Sequence, residues 1–161
     1  MASRLVVNAS PLIFLTRVGL LEVLREPADE VFVPDVVFDE IGRRGPTDPA
    51  AVAIQTTAWL QVAPTPPVSP ELAAWNLGAG ETAVLGMALA VPGSIVVIDD
   101  LAARRMARSL DIPFLGTLAL VGVAKAIGMI PSVRPVIDRL RQTGMYLSDR
   151  LAQQVLEQAG E

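Results

Sequence analysis

The chain has 161 residues, 52% of them apolar and 19% charged, with a formal net charge of −4. A polypeptide of this size buries about two-thirds of its unfolded surface around one core, and this composition excludes disorder. It contains no histidine and no cysteine, which excludes disulfides, Cys/His zinc sites, thiol nucleophiles and Ser-His or Cys-His pairs. Acid, base and metal chemistry therefore falls to carboxylates, whose preferred ions are hard, magnesium or manganese before zinc.

Strand-length apolar runs alternate with stretches of helical period, the pattern of an α/β fold with a parallel β-sheet flanked by helices. The first strand is expected over residues 4–8 (RLVVN), with helical segments over 12–17 and 20–25 after Ser10-Pro11. A second strand, 30–33 (EVFV), ends at Pro34, which suits the first helical position of PDVVFDEIGRR. Asp48-Pro49 opens a helix reaching Thr57, residues 60–63 form a short edge strand, and the proline-rich PTPPVSP is a surface connection. A helical turn over 71–75 precedes a helix over 81–90. The β-branched run 94–98 (SIVVI) predicts a central strand, followed by a helix over 101–110 and a fifth strand over 113–117. Helices over 118–127, 133–142 and 148–158 complete one domain over residues 1–161, with a core of about 4–127 and a C-terminal helical extension of about 131–160.

The longest uncharged stretch, 82–98, is interrupted by Pro92-Gly93-Ser94 and falls short of a membrane span. The apolar run ending at Asn8 is too brief for a signal peptide, so a cytoplasmic protein is expected. The net negative charge argues against nonspecific coating of nucleic acid but leaves room for a local basic rim.

In open parallel sheets ligands bind beyond the carboxyl ends of strands, which points to Asn8, Ser10, Asp99, Asp100 and Thr117. Two adjacent aspartates after a buried strand repel each other unless water or a cation compensates them, although either could cap the helix that follows. Asp35, Asp39 and Arg43 form an i, i+4 ladder that reads as a solvated face. Glu40 lies nearer the Val37/Ile41 stripe and is the functional candidate on that helix, against an ion pair with Arg44. Glu81 shares a stripe with Val84, Leu85 and Ala88, against a first-turn glutamate favoured by the helix dipole. Arg104, Arg105 and Arg108 could hold phosphates or form an ordinary solvated face, and Arg43 and Arg44 could frame the same opening. The Gly78, Gly80, Ala83 spacing follows no strand and does not make a dinucleotide fingerprint.

Four segments, VVNASPLI (6–13), VFVPDVVFDEI (31–41), GAGETAVLGMA (78–88) and VVIDDLAARRMA (96–107), together resemble the PIN-domain family in order and spacing, and the segment 130–161 is similar to the tail of its prokaryotic branch. The resemblance implies a metal-dependent RNA endonuclease, the VapC-like toxin of a toxin-antitoxin pair, with RNA as substrate and an antitoxin protein as partner; the high apolar content separately suggests an interaction surface, for a homodimer or the antitoxin. The resemblance further implies a magnesium or manganese site on Asn8, Glu40, Glu81 and Asp100, with Asp99 as the alternative to Asp100. Ser10 matches the family's serine or threonine behind these ligands; Thr117 joins it, and Arg104, Arg105 and Arg108 stand as phosphate-binding candidates, on the reading of the residues alone. Asn8 occupies a position where the family usually has aspartate. An amide oxygen ligates magnesium without contributing charge, so ion affinity should fall. The alternative reading is therefore a weakened or inactive PIN-like module that binds RNA or protein.

Overall fold

The computed structural model describes residues 2–161; Met1, the first residue of the expected domain, lies outside them. Strand β1 (Ala2–Val7) is followed by α1 (Ala9–Arg17), a 3-10 helix (Leu21–Arg25) and β2 (Ala28–Pro34). Helices α2 (Asp35–Gly42) and α3 (Pro49–Thr56), strand β3 (Leu60–Ala63) and helices α4 (Pro70–Ala73) and α5 (Ala79–Ala90) come next. Strand β4 (Ile95–Val97), α6 (Leu101–Ser109), β5 (Phe114–Leu115), α7 (Thr117–Ala126), α8 (Arg134–Gln142) and α9 (Asp149–Gln158) complete the chain.

The strands form one parallel sheet in the order β3-β2-β1-β4-β5. This is the α/β architecture expected, with β1 at the centre, β4 interior and β3 at an edge. Leu5, Val6 and Val7 are fully buried, as are Val96, Val97 and Ile98, because helices cover both faces of a parallel sheet. One cluster of buried side chains runs from Leu5 to Leu156, so the C-terminal helices pack on the same core as the sheet. Among the described residues, no helix is long and apolar enough to cross a membrane.

Three local expectations change. Helix α1 starts at Ala9 and takes Ser10 and Pro11 into its first turn, where proline's missing N–H costs nothing. Thr117 opens α7 instead of ending a strand, since Gly116 provides the extended N-cap and β5 covers only Phe114–Leu115. Asp35 is no member of a solvated ladder: its Oδ1 accepts from Thr65 Oγ1 (2.6 Å), Thr65 N (3.0 Å) and Val36 N (2.8 Å). The Thr65 hydroxyl in particular holds the Asp35 carboxyl below its usual range. These bonds pin the proline-rich connection to the start of α2.

The C-terminal helices are closed by Glu161, whose carboxylate accepts from Lys125 Nζ (2.8 Å), Ser132 Oγ (2.6 Å) and Val133 N (2.7 Å). The Lys125 ammonium, the Ser132 hydroxyl and the Val133 amide lower the Glu161 pKa from 4.5 to about 2. A folded-state pKa below the unfolded value contributes stability that is complete above about pH 4.5 and disappears as pH falls through about 2. In urea unfolding between pH 5 and pH 2, the wild type should lose more stability than Glu161→Gln. Parallel pH profiles would show that these hydrogen bonds do not hold in solution.

Candidate active site

The carboxyl ends of β1 and β4 lie side by side, with connections leaving to opposite sides of the sheet, the arrangement that opens a crevice at the strand ends. Asn8 stands at the end of β1, its amide donating to the Val97 carbonyl (3.1 Å), and Asp99 stands just beyond β4.

Asn8 is the N-cap of α1, with extended dihedrals, yet its side chain makes no capping bond. This is unusual, since an asparagine N-cap ordinarily accepts from the second or third helical amide. Asn8 is only 4% exposed, and its Oδ1 is buried without a hydrogen-bond partner. A buried, unpaired amide oxygen costs on the order of 1–3 kcal/mol. The oxygen points instead at the start of α5. A β-carbon built on Gly80 would lie 2.9 Å from Asn8 Oδ1 and 2.7 Å from Glu40 Oε2, so both oxygens pack against a helix turn that only glycine leaves open.

Glu40 reaches this point from the exposed side of α2, and its carboxyl is pushed above the usual range by desolvation and then by the charge of Glu81. Glu81 is half-buried in the first turn of α5, and its carboxylate folds back over the N-cap Gly78. The dipole-favoured position and a place in the candidate site thus coincide. Asn8, Glu40 and Glu81 form one side of the candidate site.

The aspartate pair divides its roles. Asp100 caps α6, with Oδ2 accepting from Ala103 N (2.9 Å). Asp99 turns the other way: Oδ1 accepts from Thr117 N (2.8 Å), and Oδ2 accepts from Thr117 Oγ1 (2.7 Å) and Ser10 Oγ (3.4 Å). It thereby caps α7 across the sheet and ties the fully buried Thr117 to Ser10. Ser10 joins the two halves, since it also lines a cavity of 290 Å³ with Glu40.

The four expected acidic residues do not gather into one cluster. Among the described residues, no three carboxylates converge closely enough to hold an ion by themselves. The physical reason is that Asp100 serves its own helix, while both oxygens of Asp99 are occupied by Thr117 and Ser10. A divalent ion nevertheless fits the inner side of the site. Its donors would be Asn8 Oδ1 and Glu40, with Glu81 beside them, an all-oxygen set suited to a hard cation. Such an ion would satisfy the orphaned amide and relieve the repulsion between the two glutamates.

The arginines of α6 separate as well. Arg104 donates through Nε to the Ile98 carbonyl (3.0 Å), approaches Asp99 Oδ1 (3.7 Å) and lies over the Phe114 ring at 5.6 Å. It braces the crevice from behind. Arg108 stacks on Phe114 at 5.5 Å, and Arg105 is exposed. Reading the sequence alone overlooks Gly80 and Arg17, the latter lining the cavity beside Glu40. The signal for Gly80 is its place immediately before Glu81 at a helix start, within a spacing that fails as a dinucleotide motif.

No curated protein matches the chain. A family model described as a PIN domain matches residues 4–161, which takes in β1 from Arg4 onward, the crevice between β1 and β4, and the C-terminal helices. With residues 4–161 matched, nearly the whole chain, this protein belongs to the PIN-domain family.

Proposed function

We propose that this protein is a metal-dependent RNA endonuclease. PIN-domain membership implies nuclease or RNA-binding function, and the observation that carries the finer reading is the buried, unpartnered Asn8 Oδ1 that shares the surface of Gly80 with Glu40 Oε2. Asn8, Glu40 and Glu81 would hold magnesium or manganese. When bound, such an ion polarises a phosphodiester oxygen and lowers the pKa of a coordinated water. The chain's own side chains do the rest. Asp99 accepts from Thr117 and Ser10 and holds them in register, and Gly80 leaves room for Asn8 Oδ1 and Glu40 Oε2 to face one point.

The toxin reading, with an antitoxin partner and a homodimer, belongs to the same proposal. An apolar groove of 1020 Å³ that runs from Asp99 along α7 and α9 offers a surface such a partner could cover. A second reading is a weakened or inactive module that binds RNA without turnover. The neutral Asn8 and the hydrogen-bonded Asp99 favour it.

Incubating the purified chain with single-stranded and structured RNA in magnesium, manganese or EDTA separates the two. Cleavage is expected with either ion and not in EDTA, with Glu40→Gln slower by about two orders of magnitude. Cleavage that persists in EDTA, or that Glu40→Gln leaves intact, defeats the metal mechanism. Binding without cleavage under every condition establishes the second reading.

A further inference from the structure

The 290 Å³ cavity that Glu40 and Ser10 share has a wall the proposed chemistry does not use: Arg17 at the end of α1 and Arg44 just beyond α2. They come from different elements and meet over Asp48. Arg44 Nε donates to Asp48 Oδ2 at 2.9 Å, and Arg17 Nη2 approaches the same oxygen at 3.9 Å. Arg17 Nη1 also donates to the Thr143 carbonyl (3.1 Å), which fixes its direction from the end of α8.

Asp48 needs neither arginine to do its local work, because its Oδ1 already caps α3 through Ala50 N at 3.0 Å. Two guanidiniums sharing one carboxylate leave one positive charge uncompensated within this trio, beside the Glu40 carboxylate that lines the same cavity. Among the described residues, both terminal nitrogens of Arg44 lack a protein partner. The fork is held by Nε and presents its other edge outward, the geometry with which arginine grips phosphate oxygens. Ordering the pair in advance also lowers the entropy cost of binding a ligand.

We propose that Arg17 and Arg44, aligned by Asp48, form a subsite for a phosphodiester of the RNA strand next to the bond presented at Glu40. This rests on the nuclease reading of the neighbouring residues, and it assigns the strand's path to the α1–α2 side of the crevice. The paired guanidiniums would give a chain of net charge −4 a local point of attachment for a polyanion.

The test is fluorescence anisotropy of a labelled single-stranded oligouridylate on the full chain in EDTA, across a salt series, with cleavage followed separately in manganese. Arg17→Gln/Arg44→Gln should weaken binding by about tenfold or more and lower the slope of log affinity against log salt by about one for each phosphate that is no longer neutralised. Arg44→Lys should restore much of the salt slope but not the full affinity, because it keeps charge without the fork. Circular dichroism and the melting temperature report whether each variant folds. If the double variant unfolds, Arg44→Gln alone carries the same prediction, with Arg17 left in place.

Wild-type binding that the folded glutamine variants leave unchanged overturns the subsite, whether or not manganese supports cleavage. Loss of binding in the variants upholds the arginine pair as an RNA phosphate site even if the wild type never cleaves, in which case the nuclease reading alone fails and no scissile bond lies beside the pair. No binding of the oligonucleotide by the wild type, with millimolar inorganic phosphate shifting its melting temperature instead, refutes the RNA assignment.

Discussion

Replacing Asn8 by aspartate is expected to destabilise the protein in EDTA by about 2–4 kcal/mol at neutral pH, a fall of roughly 5–15 °C in melting temperature for a chain of this size. Asn8 is buried, and its Oδ1 shares the surface of Gly80 with Glu40 Oε2. A second carboxylate there would lose solvation and face an existing negative charge, both of which raise its pKa. A folded-state pKa above the unfolded value of about 4 costs stability as pH rises through it, so acidification toward pH 4 should recover most of the loss. Manganese or magnesium should recover it at neutral pH, because the new charge strengthens the ion's hold on the site. Thermal melts of Asn8→Asp in EDTA and in manganese check both effects. A variant that melts with the wild type in EDTA and ignores the ion would mean that Asn8 does not face a cation site.

The parts of the fold that can be read from sequence are those governed by local physics. The buried runs RLVV and IVVI cannot be amphipathic strands and have to lie inside a parallel sheet. Ser10-Pro11, Asp48-Pro49 and Ser148 mark helix starts because proline and short polar side chains suit the first turn. The site is legible only as a set of candidates. Asp99 and Asp100 are equivalent by every local rule. What distinguishes them is Thr117, which lies 18 residues away in the chain from Asp99 and reaches it only through the pairing of β4 with β5. Asn8 reads only as the polar end of a strand; that it sits at an N-cap without capping, its oxygen packed against α5, depends on contacts that no window around residue 8 contains. Asp35 misleads for the same reason, since its partner Thr65 lies 30 positions on. Arg17 carries no signal in sequence, because its partners Asp48 and Thr143 belong to other parts of the chain.

Gly80→Ala should separate stability from function more sharply than any change to a charged group. Alanine in place of glycine in a helix normally gains up to about 1 kcal/mol. Gly86, on the same helix, should show that gain, since its β-carbon would meet only Leu72 Cδ2 at 3.6 Å and Pro66 Cγ at 4.0 Å. At Gly80 the new methyl would stand 2.7 Å from Glu40 Oε2 and 2.9 Å from Asn8 Oδ1, closer than unbonded carbon and oxygen tolerate. Glu40 comes from the exposed side of α2 and can swing outward at little cost, whereas Asn8 is enclosed and must turn in place. The propensity gain and the displacement nearly offset, so the melting temperature of Gly80→Ala should stay within roughly 3 °C of the wild type. Gly86→Ala should melt roughly 2–4 °C higher. Cleavage and ion-dependent stabilisation should behave oppositely: unchanged in Gly86→Ala, and reduced by about a hundredfold in Gly80→Ala because the two donors no longer face one point. Equal cleavage by the two variants would dissociate Asn8 and Glu40 from the chemistry, and a Gly80→Ala protein that unfolds would show that the glycine serves the packing of α5 against α2 instead of a ligand.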